Sequence, residues 1–597
     1  MINRTSLIVS LLATFAVSCT APNRAAGNGK GPIVWEQWSD AVFERAKGEN
    51  RFVLLDLGAV WCHWCHVMEE TTYRDSTVTG LLARRYIAVR VDQDARPDLA
   101  NRYEDYGWPA TIVFAPDGRE LVKLRGYVPP AQMASMLQAV IDDPTPGKSI
   151  RPEVKIRAAS SAALSDELRK NLVARLKSTY DDKVGGWYGD HKFIDPDVVE
   201  YCMTYGDADL RRMARGTLDA ARKLIDPAWG GVYQYSTDGD WEHLHFEKIM
   251  SYQADDMRVY AQAYAAWHEP ADLKSAQEIR RFLKSFLSSP QGAFYTSQDA
   301  DLVQGEHGGE FFKLDDAARR RLGVPRVDTH VYARENGWAI AGLAALYGAT
   351  GDKDVLDEAV RAAEWVVANR ALDGGGFRHD ESDAAGPYLG DTLAMGRACL
   401  ALHMDTADRK WLTRAEAAAD FIGKQFASGA AGFATAAGAG NGPASPRPQV
   451  DENVAVARFG ALLYAYTGKA EHHAMAERAM KYLAAPEVSA ARNWAVGGIL
   501  LADREVNSEP LHVTIVGAKS DARAAALYRE ALASPRGYKR VEWFDRWEGP
   551  LRRADVEYPD LPVPAAFFCT GTACSSPMKE PAALRAALIK DFAPARP

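Results

Sequence analysis

Up to about residue 145 the apolar residues come in short runs; beyond about residue 160 they recur at three- and four-residue steps. Phe52 to Leu57 is apolar except for Asp56 and stops at Gly58, the length and bounding of a buried strand. From His66 the spacing predicts a helix through Val67, Thr71, Val78, Leu81 and Leu82, ending on Arg84 and Arg85, where basic residues suit a helix C-terminus. Tyr86 to Val91 reads as a second strand and Pro97 to Tyr106 as a helix. Thr111 to Phe114 and Leu121 to Leu124 alternate on either side of Asp117-Gly118, a hairpin signal, and Met133 to Ile141 is an amphipathic helix.

Beyond Pro144-Thr145-Pro146-Gly147, a linker, the stretches are long, helical and rich in Ala, Leu and Arg. One kind of turn recurs between them: Gly185-Gly186-Trp187-Tyr188, Gly230-Gly231-Val232-Tyr233, Gly292-Ala293-Phe294-Tyr295, Gly374-Gly375-Gly376-Phe377, Ala431-Gly432-Phe433 and Val496-Gly497-Gly498-Ile499. These six turns, with room for two helices between each, predict an all-α (α/α)6 toroid over residues 150–508 rather than an open solenoid. Phe246, Ile249, Met250, Gln253, Met257, Tyr260, Tyr264 and Trp267 form one helical face, with Asp256 beside it. Aromatic faces stack on sugar rings and paired carboxylates serve as acid and base. The toroid's candidate pocket is therefore Trp241, His245, Asp256, Asp299 and Asp301, with Trp187, Trp229 and Trp338 as further aromatic lining. Core packing and helix capping are the competing readings for each.

Residues 509–597 read as a small α/β unit with strands at Leu511 to Gly517, Tyr538 to Trp543 and Ala565 to Cys569, and a helix from Asp521 to Ala533. Cys569 and Cys574 form a second close thiol pair, either a staple or a partner able to exchange with Cys62. Cys202 and Cys399 sit in helical patterns and read as buried thiols.

Composition adds limits. Lys and Arg number 71 against 79 Asp and Glu, a net charge of −8 with no basic stripe, so nucleic acid is not an expected partner. Seven cysteines in 597 residues are too few for a disulfide scaffold. Arg4, the apolar run from Ser6 to Val17 and Ala16-Val17-Ser18-Cys19 read as an export signal over residues 1–19, with Cys19 the lipidation site of a lipoprotein and simple secretion the alternative. Residues 20–31 form a tether, and a lipid at Cys19 is the one membrane attachment expected. This places the folded units, residues 32–145, 150–508 and 509–597, in the periplasm or cell envelope, where disulfides persist. Nothing in the pattern specifies an oligomeric state.

The chemistry concentrates in Trp61-Cys62-His63-Trp64-Cys65-His66, directly after the first strand. This C-x-x-C-H also satisfies c-type haem attachment, with Met68, Met133 or Met136 as an axial ligand, and Cys62, Cys65 and a nearby His could hold zinc. Neither calls for a preceding strand carrying Asp56, nor for the Trp-Pro and hairpin that follow, so no metal and no cofactor is expected. The order strand, dithiol, helix, strand, helix, Pro, hairpin, helix resembles the α/β thioredoxin fold. That resemblance implies that Cys62 opens a helix whose N-terminal dipole stabilises its thiolate and that Cys65 resolves the mixed disulfide. It also implies that Asp56 assists proton transfer, and that Pro109 is a cis-proline beside the dithiol.

Trp61 to Met68, Arg96-Pro97-Asp98, Gly107-Trp108-Pro109, His245-Phe246-Glu247-Lys248, Asp299-Ala300-Asp301 and Cys569 to Cys574 are similar to the thioredoxin-like family typified by spermatogenesis-associated protein 20. That family joins a thioredoxin domain to a toroid like those of glycosidases and sugar epimerases. Two departures stand out. Ser251-Tyr252-Gln253 puts no carboxylate at 252, which weakens a glycosidase-like role. The short segment between Asp98 and Gly107 brings the domain closer to periplasmic thiol:disulfide interchange domains. The expectation is an envelope thiol-disulfide oxidoreductase acting on protein disulfides and dithiols. The alternative is a carbohydrate-binding or carbohydrate-processing toroid with the dithiol as accessory.

Overall fold

The computed structural model describes residues 33–150, 154–438, 445–492, 495–570 and 573–589; the segments expected to be an export signal and a tether, with Cys19, lie outside them. The first unit runs β1 (Trp35–Glu36), α1 (Asp40–Glu49), β2 (Phe52–Gly58), α2 (His63–Glu70), α3 (Ser76–Arg85), β3 (Tyr86–Asp92), α4 (Pro97–Tyr103), β4 (Ala110–Phe114), β5 (Glu120–Arg125) and α5 (Pro130–Asp142). Its strands form a mixed sheet of order β1-β3-β2-β4-β5, parallel from β1 to β2 and antiparallel from β2 to β5. Alternation along β2 sends Phe52 and Leu54 into a core with α3 and α5, and Val53, Leu55 and Leu57 into one with α1 and α4. A strand covered on both faces must be apolar throughout, which is why its run is broken only at Asp56.

The single helix expected from His66 to Arg85 is two. α2 ends at Glu70, and Asp75 starts α3 by accepting the Thr77 and Val78 amides at 2.9 and 3.0 Å. β1 and α1 were not foreseen: two residues are too short to show a period, and α1 buries only Val42 and Ala46.

The helical unit closes on itself. Among the described residues, Pro196–Tyr205, Met250–Trp267, Ala333–Thr350, Leu389–Thr406, Val450–Thr467 and Gly497–Val506 each pack on the next, and the last packs on the first. Asp166–Ser178, Ala208–Ala221, Pro270–Phe282, Lys353–Arg370, Arg409–Gln425 and Ala470–Leu483 alternate with them in sequence and form the outer layer. This is the (α/α)6 toroid.

A repeated device locks the glycine turns to the inner ring. Asn336, fourth in its helix, accepts the Phe294 amide at 2.8 Å and donates to the Phe294 carbonyl at 3.0 Å. Asn453 does the same with Phe433, at 2.8 and 2.9 Å, and Gln253 with Val232, at 2.7 and 2.6 Å; each is again fourth in its helix. Glycine is required beside these amides, since a Cβ on Gly231 would lie 2.6 Å from the Phe282 ring. Five of the six expected turns hold glycines at positive φ. The sixth does not: Gly497 and Gly498 begin an inner helix, and a Cβ on Gly497 would come within 2.5 Å of the Val198 backbone, so close helix packing explains them.

The C-terminal unit pairs Leu511–Val516 with Lys539–Phe544 in parallel and with Ala565–Thr570 antiparallel. It sits at the C-terminal ends of the inner helices: Arg529 donates to the Gly348 carbonyl at 3.0 Å, Lys519 to that of Ala407 at 2.8 Å, and Tyr466 to that of Val541 at 3.2 Å. The thioredoxin-like unit sits at the other ends, where Gln449 donates to Glu104 at 2.8 Å and His379 to the Asp94 carbonyl at 2.7 Å.

Candidate functional site

β2 delivers the chain to Cys62, which is the N-cap of α2. The Cys65 amide donates to the Cys62 sulfur at 3.2 Å, and the two sulfurs are joined as a disulfide. The thiol that must become a thiolate thus sits where a helix leaves its first N–H groups unpaired and its dipole is positive. Pro109 follows a cis peptide bond, and its carbonyl accepts the Gly126 amide at 2.8 Å. Gly58, at the end of β2, lies so near Cys65 that an added Cβ would be 3.2 Å from its sulfur. Asp56 shares that strand face one pleat earlier, buried and bonded by Arg90 at 2.8 Å. Burial pushes its carboxyl above the usual range against the pull of the Arg90 guanidinium.

The toroid covers this site. The backbone N–H of His63 faces Glu247 at 3.4 Å, and the His63 ring meets Asp301 at 2.7 Å. His66 Nδ1 reaches the second Asp301 oxygen at 3.0 Å while its Nε2 faces the Val60 carbonyl at 3.1 Å. Ile249 and Tyr252 pack on Cys62, Cys65 and Trp108. Cys62 is consequently only 3% exposed, whereas Cys65 is partly open. Both His66 nitrogens face oxygens, so the ring carries both protons; burial works against that charge, and Asp301 and Asp299 hold its pKa above the ordinary value. Burial likewise opposes ionisation of Asp301, but His63 and His66 draw its carboxyl down to about 2.

His66, Asp299 and Asp301 bring ligand-type atoms within 4.8 Å of one another. Yet Asp301 already takes the two imidazoles and the Gly305 amide, at 2.9 Å, and both His66 nitrogens face oxygens, so the donors converge on an anion and the imidazole has no free nitrogen to offer a cation. The zinc and haem readings fit no better, because the sulfurs bond each other and His66 is committed to Asp301 and Val60.

The expected toroid pocket divides. Asp299 and Asp301 join the dithiol, not the cavity: Asp301 meets His63 and His66 of α2, Asp299 lies 3.7 Å from His66, and neither lines the cavity. His245 stacks on Tyr235 at 4.2 Å, near Glu247, and burial together with the neighbouring histidines lowers its pKa to about 4. Trp241 is core: its indole donates to the Val184 and Gly185 carbonyls at 3.1 and 3.2 Å, and its ring packs on Gly186. Trp187 and Trp229 are core as well. Asp256 does face the central cavity, of about 540 Å³, together with Trp338, Tyr252 and Arg397. Sequence reasoning missed Glu247, His63 and His379 as parts of the interface, since their contacts join residues far apart in the chain.

Cys569 and Cys574 form a disulfide, with the Tyr558 hydroxyl 3.6 Å from Cys569. The pair lies with the C-terminal unit, one inner-helix length from Cys62, and 18 residues of helix span about 27 Å. Direct exchange between the two pairs within this arrangement is excluded. Cys202 and Cys399 are buried free thiols, and burial raises both pKa values, that of Cys399 to about 12.

Residues 26–142 match the family described as "Protein of unknown function, DUF255", a thioredoxin-like model. Mouse spermatogenesis-associated protein 20 is 27% identical over 308 residues, covering 45% of this chain and 39% of the relative, so the chain spans well under half of that protein's length. Thiol:disulfide interchange protein DsbD 1 of Pseudomonas aeruginosa is 33% identical over 130 residues, 20% of this chain and 22% of the relative. Among solved structures, cellobiose 2-epimerase from Bacillus thermoamylovorans covers 53% of this chain and 86% of its own, at 11% identity and a TM-score of 0.41.

Proposed function

Because the chain carries a thioredoxin-like DUF255 domain homologous to spermatogenesis-associated protein 20, we propose that it is a thiol-disulfide oxidoreductase of the cell envelope whose working pair is Cys62 and Cys65. The observation that carries this is the placement of Cys62 as N-cap of α2, paired to Cys65, with Trp108 packed on the pair. In the reducing direction the Cys62 thiolate attacks a sulfur of the partner's disulfide. One partner thiol leaves, and Cys62 stays bonded to the other. Cys65 gives up its proton, with Asp56 as the nearest buried carboxyl on that strand face, and attacks Cys62. The partner departs as a dithiol and the Cys62–Cys65 disulfide takes up the oxidation. The oxidising direction is the reverse. The export signal read from residues 1–19 supports the envelope location, and Cys19 the lipid anchor.

With Cys62 at 3% exposure, a folded partner reaches it only when the thioredoxin-like unit tilts off Ile249, Tyr252 and Asp301. Cys65→Ala removes the resolving thiol, so partners should accumulate as mixed disulfides at Cys62, identified by mass spectrometry. Adducts mapping only to Cys569 or Cys574, or none, would contradict the proposal.

A further inference from the structure

Three 18-residue inner helices carry arginine at their ninth position: Arg258, Arg397 and Arg458. They stand at one level of the toroid axis, between the cavity on the thioredoxin-like side and a smaller one closed by the C-terminal unit, and line both. Two are neutralised. Arg258 binds Glu200 and, at 3.3 Å, Asp255; Arg458 binds Glu200 at 2.6 Å, Glu505 at 3.0 Å and Asp197 at 3.0 Å. Arg397 is different: among the described residues it has no ion pair and its guanidinium makes no hydrogen bond. Burial and the two neighbouring arginines press its pKa down, the sign of a cation held without a partner. Asp256, 2% exposed on the same cavity wall, is a second side chain that, among the described residues, makes no hydrogen bond or ion pair, and burial with the nearby Asp255 pushes its carboxyl well above the usual range against the pull of Arg258.

We propose that the toroid cavity binds a small sugar acid whose carboxylate pairs with Arg397 and whose hydroxyls meet Asp256. A guanidinium offers two parallel N–H donors to one carboxylate, which suits Arg397 to that group. Trp338 and Tyr252 give ring faces on the wall, and about 540 Å³ lies within the range of small-molecule sites. The inference narrows the saccharide reading of the toroid and stands apart from the dithiol chemistry, since no readout below involves Cys62.

The test is calorimetric titration of the full chain with D-glucuronate and with D-glucose, the same ring without the carboxylate. Glucuronate should bind at least about tenfold more tightly than glucose, about 1.4 kcal/mol, and Arg397→Met should lose that difference. Because the substitution removes a cation with no partner, its melting temperature should not fall. A measurement on the unaltered chain accompanies it: in phenylglyoxal labelling read by peptide mass, glucuronate should protect Arg397 and glucose should not. Equal affinity for the two sugars, no binding of either up to about 10 mM, unchanged glucuronate affinity in Arg397→Met, or Arg397 labelled alike with and without glucuronate would each overturn the proposal.

Discussion

His379 should make the seam between the toroid and the thioredoxin-like unit sensitive to alkaline pH. Its Nδ1 meets Asp391 at 2.8 Å and its Nε2 meets the Asp94 carbonyl at 2.7 Å, so both nitrogens must donate and the ring must be an imidazolium. It is 1% exposed and stacks on Tyr332 at 4.0 Å. Burial disfavours the charge, but Asp391 overrides it and raises the pKa from 6.5 to about 9. A pKa raised by folding stabilises the folded state fully below the unfolded value. That contribution, about 3 kcal/mol, is lost as pH rises from 6.5 through about 9. Glu247, Lys248 and Lys539 titrate in the same window, so the readout is a difference: urea denaturation of the wild type and of His379→Gln across that range. The wild type's advantage should shrink by up to about 1.4 kcal/mol per pH unit as the imidazolium deprotonates. An advantage that is constant, or that grows with pH, would refute the reasoning.

Three further outcomes follow from the geometry. Asp301→Asn strips His63 and His66 of their shared anion; it should cost about 3 kcal/mol and speed iodoacetamide alkylation of reduced Cys62, which the toroid now covers. Asn453→Ala leaves the Phe433 amide and carbonyl buried and unpaired, and should cost about 2–4 kcal/mol by urea denaturation. Cys574→Ser opens a six-residue loop at the far end of the toroid, so it should lower stability by about 2 kcal/mol in the chain-entropy picture while leaving insulin reduction unchanged.

The thioredoxin-like core was legible because its signals are local. β2 is apolar on two faces, Asp117-Gly118 turns the hairpin, and the C-x-x-C sits where a strand stops. The break between α2 and α3 was missed because Val67 and Val78 continue a helical spacing across it, although Asp75 carries the capping signal. Helical hairpins showed in the toroid's turn glycines; the Asn and Gln at the fourth inner-helix position, which hold those turns, did not, since the pairing runs between segments. The site's partition was the hardest part to read. Asp301 lies 238 residues from His63, and no periodicity links them. Trp241 looked like a sugar platform because an aromatic beside a glycine turn has the same sequence signature whether it faces a cavity or, as here, packs over Gly186. The ninth-position arginines are a periodic signal that was present in the sequence and went unused.

Insulin reduction by the purified full chain, compared with its Cys62→Ser variant, tests the central claim most directly. The wild type should reduce insulin disulfides in the presence of dithiothreitol, and Cys62→Ser should fall to the rate of dithiothreitol alone, because Cys62 is, among the described residues, the thiol that caps a helix N-terminus. Full activity in Cys62→Ser would contradict the account.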